Sequence, residues 1–153
     1  MKKYEILSLV NAGILSVTAN DLDAAHAYKV LKFKRSVKAA FDKLADAEKE
    51  LLKESGIEDA QAFDKERADL IKSGENSERL EELNKQFDRF NSLRDLLYKE
   101  EVQLEGVKTI PFAQFHVLQK ENKDLQHKPL NAFEFLLENV LWAAPEEEAA
   151  PEE

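Results

Sequence analysis

The strongest constraint in this chain is an apolar seam at seven-residue spacing, flanked by a helix-start signal and a helix-stop signal. Val30, Phe33, Val37, Ala40, Leu44, Ala47 and Leu51 recur at alternating steps of three and four. That spacing keeps one side of an α-helix apolar over many turns. Upstream, Thr18 with Asp21 three residues on has the form of a capping box, and Val17 and Leu22 are placed to staple across it. Asp21 and Asp23 also suit the positive end of a helix. Downstream, Gly56 suits the left-handed stop position, where Ile57 can touch Leu52. The expectation is one helix over about residues 19–54, about 54 Å long. Such a helix needs a surface against which to bury its seam.

The nearest candidate surface is a second helix over about residues 78–99. Ser77 can cap it, Glu78 and Glu81 suit its first turn, and Leu80, Leu83, Phe87, Phe90 and Leu97 form a matching stripe. At roughly 33 Å it covers only part of the first helix. Between the two, Phe63, Leu70 and Ile71 allow a short helix, and the run from Ser73 to Ser77 is a cluster of breakers. The rival is one helix continuing through residue 99 with a stutter.

The flanking segments are shorter. Ile6, Leu9, Val10, Ile14 and Val17 predict an apolar helix near residues 3–16, weakened by Asn11 and Gly13. Val102 and Leu104 alternate with Gln103 and Glu105, then Gly106, Val107 and Ile110 follow, which predicts a short strand or hairpin. Pro111 can open a helix through Phe112, Phe115 and Leu118. Residues 122–128 read as a polar connection. A last helix over residues 129–142 carries Phe133, Leu136, Leu137, Val140 and Leu141 inward and ends at Trp142. The fold class expected is mainly α: a long antiparallel, coiled-coil-like helical hairpin with a short β element and C-terminal helices. Residues 1–142 form a single domain in this reading, and residues 143–153 a disordered acidic tail.

Composition narrows the chemistry. There is no Cys, which excludes disulfides and thiolate metal sites. The net charge is −9, but five Glu lie in the last eleven residues, leaving −4 for the rest. The four glycines never cluster, so neither phosphate-cradling fingerprint is present. His26, His116 and His127 are far apart and lack a second ligand at helical spacing. Glu66 with Asp69, Glu78 with Glu81, and Glu121 with Asp124 have the spacing by which all-helical nucleotide pyrophosphohydrolases hold magnesium. Charged helix faces explain the same pairs without a metal. No catalytic residue, metal or cofactor is expected. Lys29, Lys32, Lys34, Arg35 and Lys38 crowd the first half of the long helix. They suit an acidic partner, or a solvated face balanced by acidic neighbours. Nucleic acid is not an expected partner for so acidic a chain. No stretch approaches the ~20 apolar residues of a membrane span. Lys2 and Lys3 before a small-residue apolar run have the outline of a secretory signal, but Glu5 and Asn11 interrupt it. Secretion is therefore the lesser reading.

The order of segments also carries a resemblance. Asn20-Asp-Leu precedes Ala27-Tyr28-Lys29, which opens the long charged helix. A second helix ends in Leu93-Arg-Asp-Leu-Leu97 and runs into Glu101-Val-Gln-Leu104, before an extended piece and a terminal helix. Over most of residues 15–142 this resembles small helical proteins of uncharacterised role encoded among the structural genes of bacteriophages and prophages. The resemblance implies no catalytic residues, and it implies the cytoplasm of a bacterial or phage-infected cell. The function expected is non-enzymatic: an assembly, adaptor or structural interaction protein that binds another protein or its own copies. The candidate contact residues are Val30, Phe33 and Val37 of the seam, with Lys34, Arg35 and Lys38 beside them. The alternatives are an acidic inhibitor imitating nucleic acid, and an all-α metal-dependent nucleotide hydrolase.

Overall fold

The structure, a computed structural model, describes residues 1–74, 77–105, 110–127 and 137–138. It is mainly helical. Among the described residues the α-helices are α1 (Lys3–Asn11), α2 (Ala24–Glu54), α3 (Ala60–Ser73), α4 (Glu78–Tyr98) and α5 (Phe112–Glu121), with 3-10 turns at Ile14–Ser16 and Lys123–His127. The expected acidic tail and most of the expected last helix lie outside the described residues. Of that helix, Leu137 and Glu138 are helical and Leu137 is buried. The chain groups into two compact units: Met1–Phe41 with Glu101–Glu153, and Asp42–Glu100.

In the first of these units, α1 breaks where Gly13 turns left-handed (φ 96°), and the 3-10 turn after it buries Ile14. Ile6, Leu9, Ile14 and Val17 join Phe115 and Leu118 of α5, together with Ile110 and Leu137, around Val30, Phe33 and Val37 of α2. The first part of the seam is thus closed by α1 and α5.

The start of α2 departs from the sequence reading. Thr18 does not cap it. The helix begins at Ala24, where the Asp23 carboxylate accepts from the His26 N–H at 3.1 Å. The His26 Nδ1 lies 2.6 Å from the same oxygen. The His26 backbone N–H, helped by its ring, holds the Asp23 pKa below the usual range. Thr18 is claimed instead by the far end of α5. Its N–H donates to Asn122 Oδ1 (2.9 Å) and its carbonyl accepts from Asn122 Nδ2 (2.8 Å), so the side-chain amide pairs with the backbone as a β-rung would. Beside it the Glu121 carboxylate accepts from the N–H groups of Asn20 (2.8 Å) and Asp21 (3.1 Å). Desolvation works to raise the Glu121 pKa, and the Asp21 and Asn20 amides overcome it, leaving the carboxyl lowered. Residues 18–21 are held in a loop because this tertiary clamp outcompetes the local capping box.

The expected β element is not seen. Lys2 and Glu101 form an isolated antiparallel bridge, with the Val102 N–H donating to the Met1 carbonyl at 2.8 Å. The alternation at Val102 and Leu104 is real, but its partner has only two residues before α1 begins at Lys3. Residues 106–109 lie outside the described part.

In the unit of residues 42–100, α2 ends as the sequence predicts. Gly56 has φ 80°, the Ile57 N–H donates to the Leu52 carbonyl (2.8 Å), and the Gly56 N–H donates to that of Lys53 (3.0 Å). This double bond pattern is the Schellman stop. Residues 58–76 contain a true helix, α3, rather than a stutter. Asp59 caps it through the N–H groups of Gln61 and Ala62, and it ends at left-handed Gly74. Ser77 caps α4 through the Leu80 N–H at 3.1 Å. Arg79 reaches back from α4 to Glu66 (2.6 Å), and Arg67 Nε donates to Asn84 Oδ1 (2.9 Å). Ile57, Phe63 and Leu83 form the small core, with Leu52, Leu70, Phe87 and Phe90 against it.

Candidate functional site

The unit of residues 42–100 contains an open cleft of about 230 Å³. The Schellman stop folds Ile57 back beside Leu52 to form one wall. The Asp59 cap sets Phe63 into the first turns of α3, with Asp64 beside it. Phe87, Phe90 and Arg94 complete the lining from α4. Their spacing of three and four puts all three on one face of that helix.

Arg94 is the unusual member. Leu80, Leu83, Phe87, Phe90 and Leu97 keep the three-four rhythm of an apolar stripe, and position 94 is the step at which a guanidinium replaces a hydrocarbon. Its charged carbon lies 5.4 Å from the Phe90 ring centre and 5.8 Å from that of Tyr98. Arg94 Nε is buried and has no hydrogen-bond partner. Ring faces attract a cation by about 0.5–2 kcal/mol but accept no strong hydrogen bond. Leaving a buried donor unanswered costs about 1–3 kcal/mol. Arg67, in contrast, both stacks on Phe87 (4.5 Å) and bonds Asn84. One turn before Arg94, Asn91 Oδ1 is also buried without a partner, though Asn91 does not line the cleft. Tyr98 donates its hydroxyl to Glu48, and burial together with that carboxylate pushes the phenol up to about 12.

The contact residues expected from the sequence are not brought together on one surface. Val30, Phe33 and Val37 are 1%, 0% and 0% exposed, inside the core of their unit. Covered by the chain itself, they offer nothing to a second chain in this fold. Lys34 donates to the Val17 carbonyl at 2.7 Å, along a shallow hollow lined by Val17, Ala27 and Leu31 among others. Arg35 and Lys38 are exposed.

Two of the carboxylates whose spacing suggested magnesium have other uses here. Glu66 engages Arg79, whose side-chain hydrogen bond lowers the Glu66 pKa, and Glu121 engages backbone amides. Among the described residues no group of three or more His, Asp or Glu converges to hold a metal.

No family model, curated protein or solved structure matches this chain. The site must therefore be read from its own chemistry. Sequence reasoning passed over Arg94 and Asn122. The first was visible as a charge at a stripe position. The second carried no local mark, because its partner is 104 residues away.

Proposed function

We propose that the chain is a non-enzymatic adaptor that docks a protein partner at the Arg94 cleft. In this reading residues 42–100 act as an antiparallel, coiled-coil-like hairpin that displays the cleft. The observation that carries it is Arg94: a cation at a stripe position, stacked on aromatic rings, without a hydrogen-bonding partner for its buried Nε. A structural arginine in a helix seam ordinarily has a carboxylate or carbonyl to meet it. The first part of the α2 seam does not carry this reading, since α1 and α5 close it.

The resemblance to proteins encoded among phage and prophage structural genes supports an assembly setting, and a cytoplasmic location in a bacterial or phage-infected cell goes with it. No described helix is long and apolar enough to cross a membrane. The test is a photocrosslinking side chain at Asp64, on the cleft rim, in cells of the source organism. The adaptor reading expects a discrete protein adduct that is lost on Arg94→Met, while the same crosslinker at exposed Lys72 gives none. No adduct at Asp64 would sink it.

A second reading has its own observation. Residues 42–100 hold seventeen Asp and Glu against eleven Lys and Arg, a balance of −6. That charge supports an inhibitor of a basic surface, whose affinity for a cationic protein would fall steeply with salt.

A further inference from the structure

Resting on the adaptor reading, we infer that the cleft recognises a short segment in which a bulky apolar side chain stands next to a carboxylate. The apolar side chain fills the cleft and the carboxylate pairs with the Arg94 guanidinium. The cleft is about 230 Å³, larger than the roughly 150 Å³ cavity that admits benzene. One phenyl or leucyl side chain therefore fits against Leu52, Phe63 and Phe87. A purely apolar ligand would fill the cleft and bury the cation further, which raises its desolvation cost. A ligand with an adjacent carboxylate answers the charge and forms the stronger, charge-assisted bonds.

The same electrostatics choose among anions. Asp64 stands at the rim, and the unit is already acidic by −6. Attraction to Arg94 and repulsion by Asp64 both grow with ligand charge, and the greater hydration that a doubly charged phosphate gives up on entry favours the single carboxylate. Water does not reach Nε in this arrangement. That atom stays unanswered until the aromatic wall shifts, and entry of a partner side chain is such a shift.

Three labelled peptides with blocked ends separate the possibilities: Lys-Gly-Phe-Glu-Gly-Lys, the same peptide with Gln for Glu, and the same with phosphoserine for Glu. Fluorescence polarisation on the full chain should show the Glu peptide binding about tenfold or more tightly than the Gln peptide. Arg94→Met should abolish that ratio while the helical circular dichroism persists. In the unaltered protein, the Arg94 Nε–H resonance should shift with the Glu peptide and stay put with the Gln peptide, a readout that needs no variant. Equal binding of Glu and Gln peptides, or tighter binding of the phosphoserine peptide, overturns the inference. So does an unmoved Arg94 resonance. If these probes fail while the Asp64 adduct still forms, the adaptor reading stands and only the ligand chemistry falls. If the adduct also fails, both fall.

Discussion

Replacing Asn122 by Ala removes the amide that joins the end of α5 to the loop before α2. Three hydrogen bonds to backbone groups go with it: from the Thr18 N–H, to the Thr18 carbonyl, and to the Leu118 carbonyl, besides a longer one of 3.4 Å from the Thr18 hydroxyl. The third is cheap to lose, because the Leu118 carbonyl still accepts from the Asn122 backbone N–H at 3.1 Å. The two with the Thr18 backbone are net contributions of about 1 kcal/mol each, since Thr18 is exposed enough for water to replace part of what is lost, and the long hydroxyl bond adds little for the same reason. The expected cost is roughly 2 kcal/mol, which corresponds to a melting shift of about 4–8 °C. A chain with two compact units need not melt in one step, so a local measurement is decisive. Amide exchange at Thr18 should accelerate about thirtyfold, the factor equivalent to 2 kcal/mol. Asn122→Asp sharpens the test. It keeps an acceptor for the Thr18 N–H but turns a carboxylate toward two carbonyl oxygens. Its folded pKa must then lie above the unfolded value near 4. The variant should be nearly intact below that pH and lose stability as pH rises above it. An exchange rate at Thr18 that changes less than about threefold in the Ala variant would refute the clamp.

Leu83 is 0% exposed at the centre of its small core, so Leu83→Ala should cost about 2–5 kcal/mol by urea titration, with the loss confined to amides of residues 42–100. Gly56 is left-handed, and an added Cβ would sit 2.8 Å from the movable Gln86 amide; Gly56→Ala should cost about 1–2 kcal/mol, mostly from backbone strain. The Tyr98 phenol, raised to about 12 by burial and Glu48, should ionise well above the ordinary phenol range in an ultraviolet titration. Its contribution to stability is whole below the unfolded pKa near 10 and is lost as pH climbs through the folded value; Glu48→Gln should bring its ionisation earlier.

Much of the helical layout was legible because it is written locally. Gly56, Ser77 and Pro111 sit at helix boundaries that follow from each residue's own backbone or side-chain chemistry. The start of α2 was misread for the opposite reason. Thr18 and Asp21 have a valid local signature, but Asn122 and Glu121 reach them across about a hundred residues, and no window contains that competition. The strand at Val102 failed because periodicity reports a pleat and says nothing about whether a partner of equal length exists. The seam is real, yet the sequence offers one long helix that covers only part of it. The true cover of Val30, Phe33 and Val37 includes α1 and α5, nine and ten residues long, too short to announce themselves as packing partners. Arg94 was present in the pattern all along, as an interruption rather than as a motif.

That interruption also bears on which associations the unit of residues 42–100 resists. Two copies meeting through the cleft with Arg94 near the twofold axis would set guanidinium against guanidinium in a low-dielectric seam. With Arg94 in place, like charges oppose that pairing and leave the groove open to a molecule of different character.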